Sequence, residues 1–390
     1  MAQGYPAIAV ERFAARLGAF YFTHFTILGI QMPFLPVWLV AKGLDANQIG
    51  IVLAAPLVMR AVALPLLTAI ADRFEALRGT LMATALAASC GYLVVALADG
   101  FWAILITIGI VSALFHSVFA LSDAYALKGL AARPQAYGPI RVWGSTAFIV
   151  GNVVAGIVAN MVAPIHFIWL VVAACLPMAV GALALPPLAP ASPRIQRTEG
   201  YQFLLSPAFL LVTAAASLIQ SSHAVFYGFS TLAWTAAGLD PGIVGGLWAV
   251  GVVAEIIVFA ISARFPPGFG PTVLLGIGAA GAVIRWTVMA LDPPALLLPV
   301  VQCLHGVTFG FTLLGSMMFL ARNAPSGRGA TAQGYFVLTI GLTLAAATAL
   351  AGWLYEAIGT RAYGFMAISA AVGGLLVVAA HRAMRKGQEA

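Results

Sequence analysis

Long runs of apolar residues fill most of the chain, and the polar positions are gathered in short segments between them. A helix needs about 20 apolar residues to cross the hydrocarbon core of a bilayer. Breaks at charged residues and at Pro/Gly clusters define twelve such stretches, too long and too continuously apolar for membrane strands. The pattern therefore predicts an all-α polytopic membrane protein with spans at 16–40, 47–70, 79–98, 102–128, 137–161, 164–186, 207–235, 242–263, 271–291, 295–321, 329–355 and 361–381.

The longest polar segment, between Pro186 and Pro207, divides these spans into six plus six. We predict an N-terminal six-helix half at 1–186, a cytoplasmic linker at 187–206 and a C-terminal six-helix half at 207–390. Repeated halves of this kind are typical of secondary carriers, which bind their substrate between the repeats.

Composition narrows the function further. The 390 residues are 62% hydrophobic and only 8% charged, whereas a soluble domain carries about 25% charged residues. A water-soluble enzyme is excluded. The sequence holds no HExxH, no GxSxG and no phosphate-binding loop, so we expect neither an enzyme nor an ATP-driven pump, and no cofactor or metal. An ion gradient remains as the energy source.

The net charge of +7 does not indicate a nucleic-acid partner, because no basic stripe on a soluble face is predicted. Basic residues are retained on the cytoplasmic side of short loops. Their distribution predicts that both termini are cytoplasmic. The excess of Arg over Lys (16 against 3) fits a GC-rich bacterial genome, so we expect a bacterial inner-membrane protein, and a monomer in the lipid bilayer. The bases on the predicted cytoplasmic side are Arg12, Arg16, Arg73, Arg78, Lys128, Arg133, Arg194, Arg197, Arg264, Arg322, Arg328, Arg382, Arg385 and Lys386.

Apart from residues at the limits of a span, five charged residues lie within predicted spans, namely Arg60, Asp123, Arg141, Glu255 and Arg285. A charge at bilayer depth costs roughly 2.5–3.5 kcal/mol on insertion scales and so indicates function. The structural alternative for each is an ion pair that locks two helices. Three positive and two negative groups leave one positive charge without compensation, and a bound organic anion would neutralise it.

Four histidines, His24, His116, His223 and His305, also lie within spans. They could take part in a proton relay with the two carboxylates, because imidazole changes charge near neutral pH. Alternatively, each is held by a backbone carbonyl. Trp143 and Tyr227 lie close in sequence to charged or histidine positions and are further candidates for a substrate pocket.

Gly276, Gly278 and Gly281 match the GxGxxG pattern of dinucleotide sites. That motif requires a preceding strand and a solvated pyrophosphate, and here it lies inside an apolar span. We interpret the three glycines as small residues that allow close helix packing in lipid.

The stretch from Ser122-Asp123-Ala124-Tyr125 to Tyr137-Gly138-Pro139-Ile140-Arg141-Val142-Trp143-Gly144 resembles the major facilitator superfamily. The similarity is to its proton-symporter branch, which contains lactose permease and the phenylpropionate permeases, and it covers nearly the whole chain. It implies that Asp123 and Arg141, eighteen residues apart, both contact substrate.

The second half resembles the same branch. Glu255, Arg285 and His305 fall where these symporters keep their proton-coupling glutamate, arginine and histidine. The chain departs from the sugar symporters at Thr308, where they have a glutamate that releases the proton, so the proton exit must differ.

Shorter fragments resemble the phenylpropionate permeases in particular: Arg60 with Pro65, Ser222-His223-Ala224 with Tyr227, Leu304-His305-Gly306, and Ala332-Gln333-Gly334. Asp72 and Arg73 are similar to the superfamily's gating motif, which implies a role in closing the cytoplasmic side.

These observations predict a proton-coupled carrier of a small organic anion, such as an aromatic carboxylate, that works by alternating access. Arg60 or Arg141 would bind the anion, with Trp143, His223 and Tyr227 lining the pocket. Asp123 and Glu255 would carry protons, and Arg285 and His305 would tune Glu255. The alternatives are a neutral sugar or nucleoside proton symporter, and a non-transporting membrane receptor on a transporter scaffold.

Overall fold

A computed structural model describes residues 7–130, 137–188, 201–266, 268–325 and 329–389. All regular elements within these ranges are helical, which confirms the all-α prediction. The α-helices are α1 (Ala7–Ala41), α2 (Ala46–Arg73), α3 (Leu77–Leu97), α4 (Phe101–Leu130), α5 (Tyr137–Ala159), α6 (Ile168–Leu183), α7 (Pro207–Ser221), α8 (Ala224–Ala236), α9 (Pro241–Ile261), α10 (Pro271–Ala290), α11 (Leu298–His305), α12 (Thr312–Asn323), α13 (Gly329–Ile358) and α14 (Tyr363–Glu389).

Eleven helical stretches of the described chain are long and apolar enough to cross a membrane. Each of the first ten overlaps one predicted span. The last stretch, Thr331–Arg385, has 55 residues and contains both α13 and α14, separated by a 3₁₀ turn at Gly359–Ala362. Both helices exceed the length that a crossing requires. The twelfth crossing stays a prediction.

The seventh predicted span is interrupted at Ser222 and His223, between α7 and α8. The Ser222 hydroxyl donates to the Ile219 carbonyl at 2.6 Å, and His223 Nδ1 lies 3.1 Å from the Gln220 carbonyl oxygen. Side chains that bond backbone carbonyls compete with the helical ladder. The predicted span is confirmed, because Pro207–Ala236 forms one crossing stretch, and the break within it places His223 at a turn.

The tenth predicted span is also irregular, because α11 continues into a π-helix at Gly306–Phe311 before α12 begins. A Cβ added at Gly306 would lie 2.6 Å from the Ala254 carbonyl oxygen of α9, and one at Gly251 would lie 3.3 Å from the His305 Cβ. Glycine therefore lets α9 and α11 approach closely. Single π turns of this kind occur frequently at functional sites.

The chain forms two compact units, of which the first comprises 1–192 with 240–249 and the second 193–239 with 250–390. The predicted boundaries of the halves and of the linker stay predictions, and residues 189–200 of that linker lie outside the described residues. Arg133, Arg194, Arg197, Arg328 and the Lys386 side chain lie outside them as well.

Within the first unit, α1 and α5 cross with their backbones in contact. A Cβ added at Gly29 would lie 2.3 Å from the Phe148 carbonyl oxygen, and one at Gly151 would lie 2.4 Å from that of Thr26. Small residues at such crossings let helices pack closely where no hydrophobic effect drives their association. This crossing fixes the part of α1 that faces Arg141.

Two of the three GxGxxG glycines have the packing role that we predicted. A Cβ at Gly278 would lie 2.3 Å from Thr312 Oγ1, and one at Gly281 would lie 2.7 Å from a Val307 methyl group. Gly276 differs, because a Cβ there would meet no atom within 4 Å.

Candidate functional site

In the first unit, α1, α4 and α5 bring Asp123 and Arg141 together with aromatic residues. We call Tyr21, Phe25, Phe119, Asp123, Tyr137 and Arg141 the Asp123 cluster. Gly144 makes room for it, since a Cβ there would lie 2.6 Å from Arg141 Nη1 and 2.9 Å from Phe25 Cδ2. The sequence did not single out Tyr21 or Phe25, because an aromatic residue in an apolar helix gives no sign of the face it occupies.

Two phenol groups bind the Asp123 carboxylate. The Tyr21 hydroxyl donates to Oδ1 at 2.5 Å and the Tyr137 hydroxyl donates to the same oxygen at 2.8 Å. Among the described residues no group donates to Oδ2. The carboxylate is thus oriented by two donors and keeps one oxygen for a proton or a ligand.

Arg141 lies against aromatic faces. Its guanidinium carbon is 4.4 Å from the centre of the Phe25 ring, 5.0 Å from that of Phe119 and 5.7 Å from that of Tyr21. Cation–π attraction of this kind positions a cation without neutralising it. Lys42 and Asp99 form an ion pair in the described chain, whereas no oxygen of Asp123 lies within ion-pair distance of Arg141.

The structure brings Arg60 near His116, with which it interacts electrostatically. His116 Nδ1 lies 2.6 Å from the Ser112 carbonyl oxygen of the same helix. His24 lies 3.4 Å from the Met178 sulfur and packs on Phe115. His116 therefore has the carbonyl-bound geometry that was the alternative to a relay.

Trp143 has a different environment from its neighbour Arg141. Its side chain is 54% exposed, and its described contacts are with Gly18 and Phe22 of α1. The structure therefore does not place Trp143 in the Asp123 cluster.

In the second unit, the break after α7 and the π-helix bring His223, Gln302, His305 and Thr308 around the fully buried Arg285. We call these five residues with Glu255 the Arg285 cluster. Arg285 Nη2 donates to Gln302 Oε1 at 2.6 Å, while Nη1 lies 3.0 Å from His305 Nδ1 and 3.3 Å from Thr308 Oγ1.

These contacts assign the histidine protons. A guanidinium only donates, so His305 Nδ1 accepts and its proton resides on Nε2, which lies 3.7 Å from Glu255 Oε2. His223 Nδ1 donates to the Gln220 carbonyl, and a neutral His223 ring accepts from Thr308 Oγ1 through Nε2 at 3.0 Å. The His305 ring is neutral in this arrangement, because its Nδ1 accepts. His305 thus lies between the cation and the carboxylate, and its role in tuning Glu255 stays a prediction.

Aromatic rings enclose this cluster too. The Arg285 guanidinium lies 4.5 Å from the centre of the Trp286 ring and 4.8 Å from that of Phe226. The His223 ring stacks on Tyr227 at 5.6 Å. Tyr227 interacts electrostatically with Glu255 and Arg285. Among the predicted site residues, the structure thus groups His223, Tyr227, Glu255, Arg285 and His305.

Gln302 and Thr308 belong to this cluster but were not among the predicted site residues. Gln302 lies three residues before His305, on the same helical face, and that spacing is the one signal that could have indicated it. The sequence distinguishes Thr308 only because the sugar symporters have a glutamate at that position. Its hydroxyl occupies the position between His223 and Arg285.

Asp72 and Arg73 lie exposed at the end of α2, where the Arg73 guanidinium is 5.7 Å from the centre of the Phe74 ring. Nearby bases bind the end of α6 instead: Arg78 Nε donates to the Leu185 carbonyl at 2.6 Å, and Arg16 donates to that of Ala184 at 3.2 Å. Cations at a helix C terminus complement its unpaired carbonyls. The gating role of Asp72 and Arg73 stays a prediction.

Comparison with known proteins gives the class that the sequence predicts, a membrane transporter. Residues 14–366 match the model of the MFS_1 like family. The probable 3-phenylpropionic acid transporter of Escherichia coli (strain K12) is 33% identical over 90% of this chain and 93% of its own length. Maltose permease of Geobacillus stearothermophilus is 28% identical over 95% of each chain. The crystal structure of the nucleoside transporter NupG superposes with a TM-score of 0.79 at 16% identity, covering 95% of this chain and 99% of that one.

Proposed function

We propose that this chain, which belongs to the MFS_1 like family of membrane transporters, carries a small aromatic carboxylate together with a proton. It is a polytopic transporter of the major facilitator type and not an enzyme. The substrate class, the proton coupling, the bacterial inner-membrane location and the cytoplasmic termini are parts of the proposal.

The observation that carries the proposal is the state of Arg141. Its guanidinium is held by three ring faces and is not paired with Asp123. A partly buried cation that forms no ion pair among the described residues favours an anionic ligand. A guanidinium binds a carboxylate through two parallel hydrogen bonds, and the rings of Phe25 and Phe119 would pack against an aromatic ligand. We therefore assign the substrate carboxylate to Arg141 rather than to Arg60.

The Arg285 cluster supports coupling to protons. As long as Glu255 is ionised, its charge offsets that of Arg285 through the bridging His305. Protonation of Glu255 would remove that negative charge and leave the buried Arg285 cation uncompensated, so the net charge of this cluster depends on the protonation state of Glu255. If the carrier binds its anionic substrate more tightly in one protonation state, linkage requires that substrate binding shift proton binding by the same factor. Asp123 would be the second carboxylate in this exchange.

The relative named for 3-phenylpropionic acid supports an aromatic acid as substrate, since the similarity extends over 90% of this chain. The distribution of bases supports cytoplasmic termini. On that orientation, Asp72 and Arg73 would lie at the cytoplasmic gate.

Uptake by proteoliposomes tests the proposal. We expect 3-phenylpropionate to accumulate when the outside is made acidic and to equilibrate without accumulation when the pH gradient is collapsed. Arg141→Lys should raise KM by about ten- to a hundredfold, because it loses the bidentate contact with a charged group. Asp123→Asn should abolish accumulation.

Two exposed residues provide matched controls. Arg361→Lys and Asp292→Asn make the same chemical changes away from both clusters and should transport normally. Unchanged KM in Arg141→Lys would contradict the carboxylate assignment, and no movement of any substrate under the gradient would favour a receptor.

A neutral sugar is the second candidate, because maltose permease is 28% identical over 95% of this chain. In that case Asp123 and Arg141 would both hydrogen-bond to hydroxyl groups. Counterflow distinguishes the two: exchange of maltose or a nucleoside without exchange of any aromatic acid would replace the anion proposal.

A further inference from the structure

The second unit carries an apolar groove between α10 and α14 that has no part in either cluster. Its volume is about 580 Å³, within the range of small-molecule sites, roughly 300–1,000 Å³. Gly276, the one glycine of the GxGxxG pattern without a packing partner, lies in its wall. The groove is therefore a feature that the packing of α10 and α14 leaves open.

The groove follows one face of each helix. On α10 its wall includes Thr272, Gly276, Ala279 and Val283, three or four residues apart and thus on the same side. The helices run antiparallel, because Thr272 contacts His381 while a Cβ at Gly374 would lie 3.3 Å from Ala279. The exposed side chains of Val273, Leu375 and Val378 flank the groove, so it opens to the hydrocarbon.

One end of the groove is basic. Arg382 lines it beside His381, whose Nδ1 lies 3.0 Å from the Thr272 hydroxyl oxygen. Arg382 is exposed and makes no ion pair or hydrogen bond with the described residues. The opposite end, near Val283 and Ala370, has no charged residue in its wall. A ligand that matches the groove has an apolar body and an anionic group at one end.

The length of the groove specifies the ligand further. From Thr272 to Val283 is eleven residues, or about 16 Å at 1.5 Å per residue. The hydrocarbon core of a bilayer is about 30 Å thick, so the groove spans one leaflet from its basic, interfacial end. This is the reach of one phospholipid chain, whereas a helix from another protein would cross both leaflets.

We propose that this groove binds an anionic phospholipid, with an acyl chain along α10 and α14 and its phosphate at Arg382. Basic pockets between transmembrane helices bind anionic headgroups in this way. A second copy of the chain fits less well. Copies in one membrane share their orientation, so a symmetric contact at this groove would bring the two Arg382 side chains to the same depth with like charges.

Native mass spectrometry of the purified, delipidated full-length protein tests the proposal, using dioleoyl phosphatidylglycerol and dioleoyl phosphatidylethanolamine at equal concentration. We expect retention of the anionic lipid to exceed that of the zwitterionic lipid by about fivefold. Arg382→Gln should remove this preference. Gly276→Leu should reduce the retention of both lipids, because the added side chain would occupy the groove from a position where its Cβ meets no atom within 4 Å.

Matched controls lie elsewhere on the second unit. Gly364→Leu places the same side chain at another helical glycine where an added Cβ meets nothing within 4 Å, and Arg361→Gln removes a charge from a different exposed turn. Both should bind lipid as the parent protein does.

Equal retention of the two lipids by the parent protein would overturn the proposal, and so would undiminished binding in Gly276→Leu. A dimer in the lipid-free protein that Gly276→Leu dissociates would assign the groove to a second copy instead. The assay uses no substrate, so its outcome is independent of the proposed transport function.

Discussion

Thr308 connects Arg285 and His223 within the Arg285 cluster, because a hydroxyl can accept one hydrogen bond while it donates another. The Thr308 hydroxyl accepts a hydrogen bond from Arg285 Nη1. Two acceptors lie within reach of its proton, His223 Nε2 at 3.0 Å and the His305 carbonyl at 3.3 Å, and we assign the proton to the shorter contact, with His223. A carboxylate at this position would pair with Arg285 directly. With a neutral threonine, the balancing negative charge comes from Glu255 through His305.

Replacing Thr308 tests this connection. Thr308→Val keeps the shape but leaves His223 Nε2 without its donor, and we expect a loss of about 1–3 kcal/mol in the free energy of unfolding. Thr348→Val is the control, since that buried hydroxyl bonds only to the Leu344 carbonyl of its own helix and its loss should cost less. The Tm in detergent measures both changes. Thr308→Ser should restore the parent value, and equal Tm values for the two valine variants would contradict the connection.

The phenol groups of the Asp123 cluster lead to a second prediction. Tyr21→Phe and Tyr137→Phe each remove a hydrogen bond to a charged acceptor, at an expected cost of about 1.5–3 kcal/mol in the free energy of unfolding. In an Asp123→Ala background the same changes should cost little, because residues in contact are energetically coupled. Tyr335→Phe, at an exposed tyrosine, serves as the control. If the tyrosine effects are the same in both backgrounds, the hydroxyls do not act on Asp123.

For individual side chains, the sequence identifies the charged groups of a site better than the uncharged side chains that surround them. The resemblance to the proton symporters implied that Glu255, Arg285 and His305 act together, and the structure does bring these three residues together. Nothing in the sequence indicated Tyr21 or the exposure of Trp143. The reason is physical: in lipid both the outward and the inward face of a helix are apolar, so the pattern that marks the buried face of a soluble helix is missing.

The first ten membrane spans are predictable here in position, and less so in regularity. Each of the first ten stretches overlaps its predicted span, because length and hydropathy suffice to identify a crossing. The break at Ser222 and the π turn after His305 were not predicted, since both depend on contacts with other helices. The Trp286 indole donates to the Ser222 hydroxyl at 2.8 Å, and Gly306 packs on the backbone of α9.

The crossing of α1 and α5 gives a prediction for whole elements. Gly151→Ala would place a methyl group 2.4 Å from the Thr26 carbonyl oxygen, so the two backbones must separate. We expect a loss of about 1–3 kcal/mol in the free energy of unfolding, the usual cost of overpacking.

Gly246→Ala is the matched control, because this helical glycine of the same unit has no atom within 4 Å of an added Cβ. The change should leave the Tm unaltered or raise it, since alanine is the better helix former by about 1 kcal/mol. A Tm for Gly151→Ala equal to that of the control would show that α1 and α5 can accommodate a methyl group at their crossing, and would contradict this prediction.

For the whole molecule, the sequence predicted the transporter class. The charged residues of the proposed site were identified because they lie within apolar spans, in the same order as in the proton symporters. The limits of the halves are less certain from sequence, because residues 240–249 pack with the first unit although they follow the predicted linker. Asn160 donates to Asp240 at 2.8 Å, and a Cβ at Gly245 would lie 2.4 Å from the Asn152 carbonyl oxygen. Contacts between residues so far apart in sequence leave no local pattern.

Orientation in the membrane is testable with single cysteines. In a chain with Cys90, Cys175 and Cys303 changed to serine, Arg361→Cys should react with a membrane-impermeant maleimide on intact cells. Arg264→Cys should react only after permeabilisation. Both side chains are exposed in the second unit, so accessibility alone does not separate them. The reverse labelling pattern would place the termini outside.

The π turn at Gly306–Phe311 has a consequence for how related genes are aligned. A regular helix advances by about 100° per residue, so loss of a single codon in the regular part of this span would rotate everything after it. A π turn contains one residue more than an α turn, so loss of a codon within it would leave a regular helix in which Thr312 and Ser316, now buried, keep their neighbours. A one-residue gap at this point in an alignment is therefore compatible with two proteins that present the same side chains to their interiors.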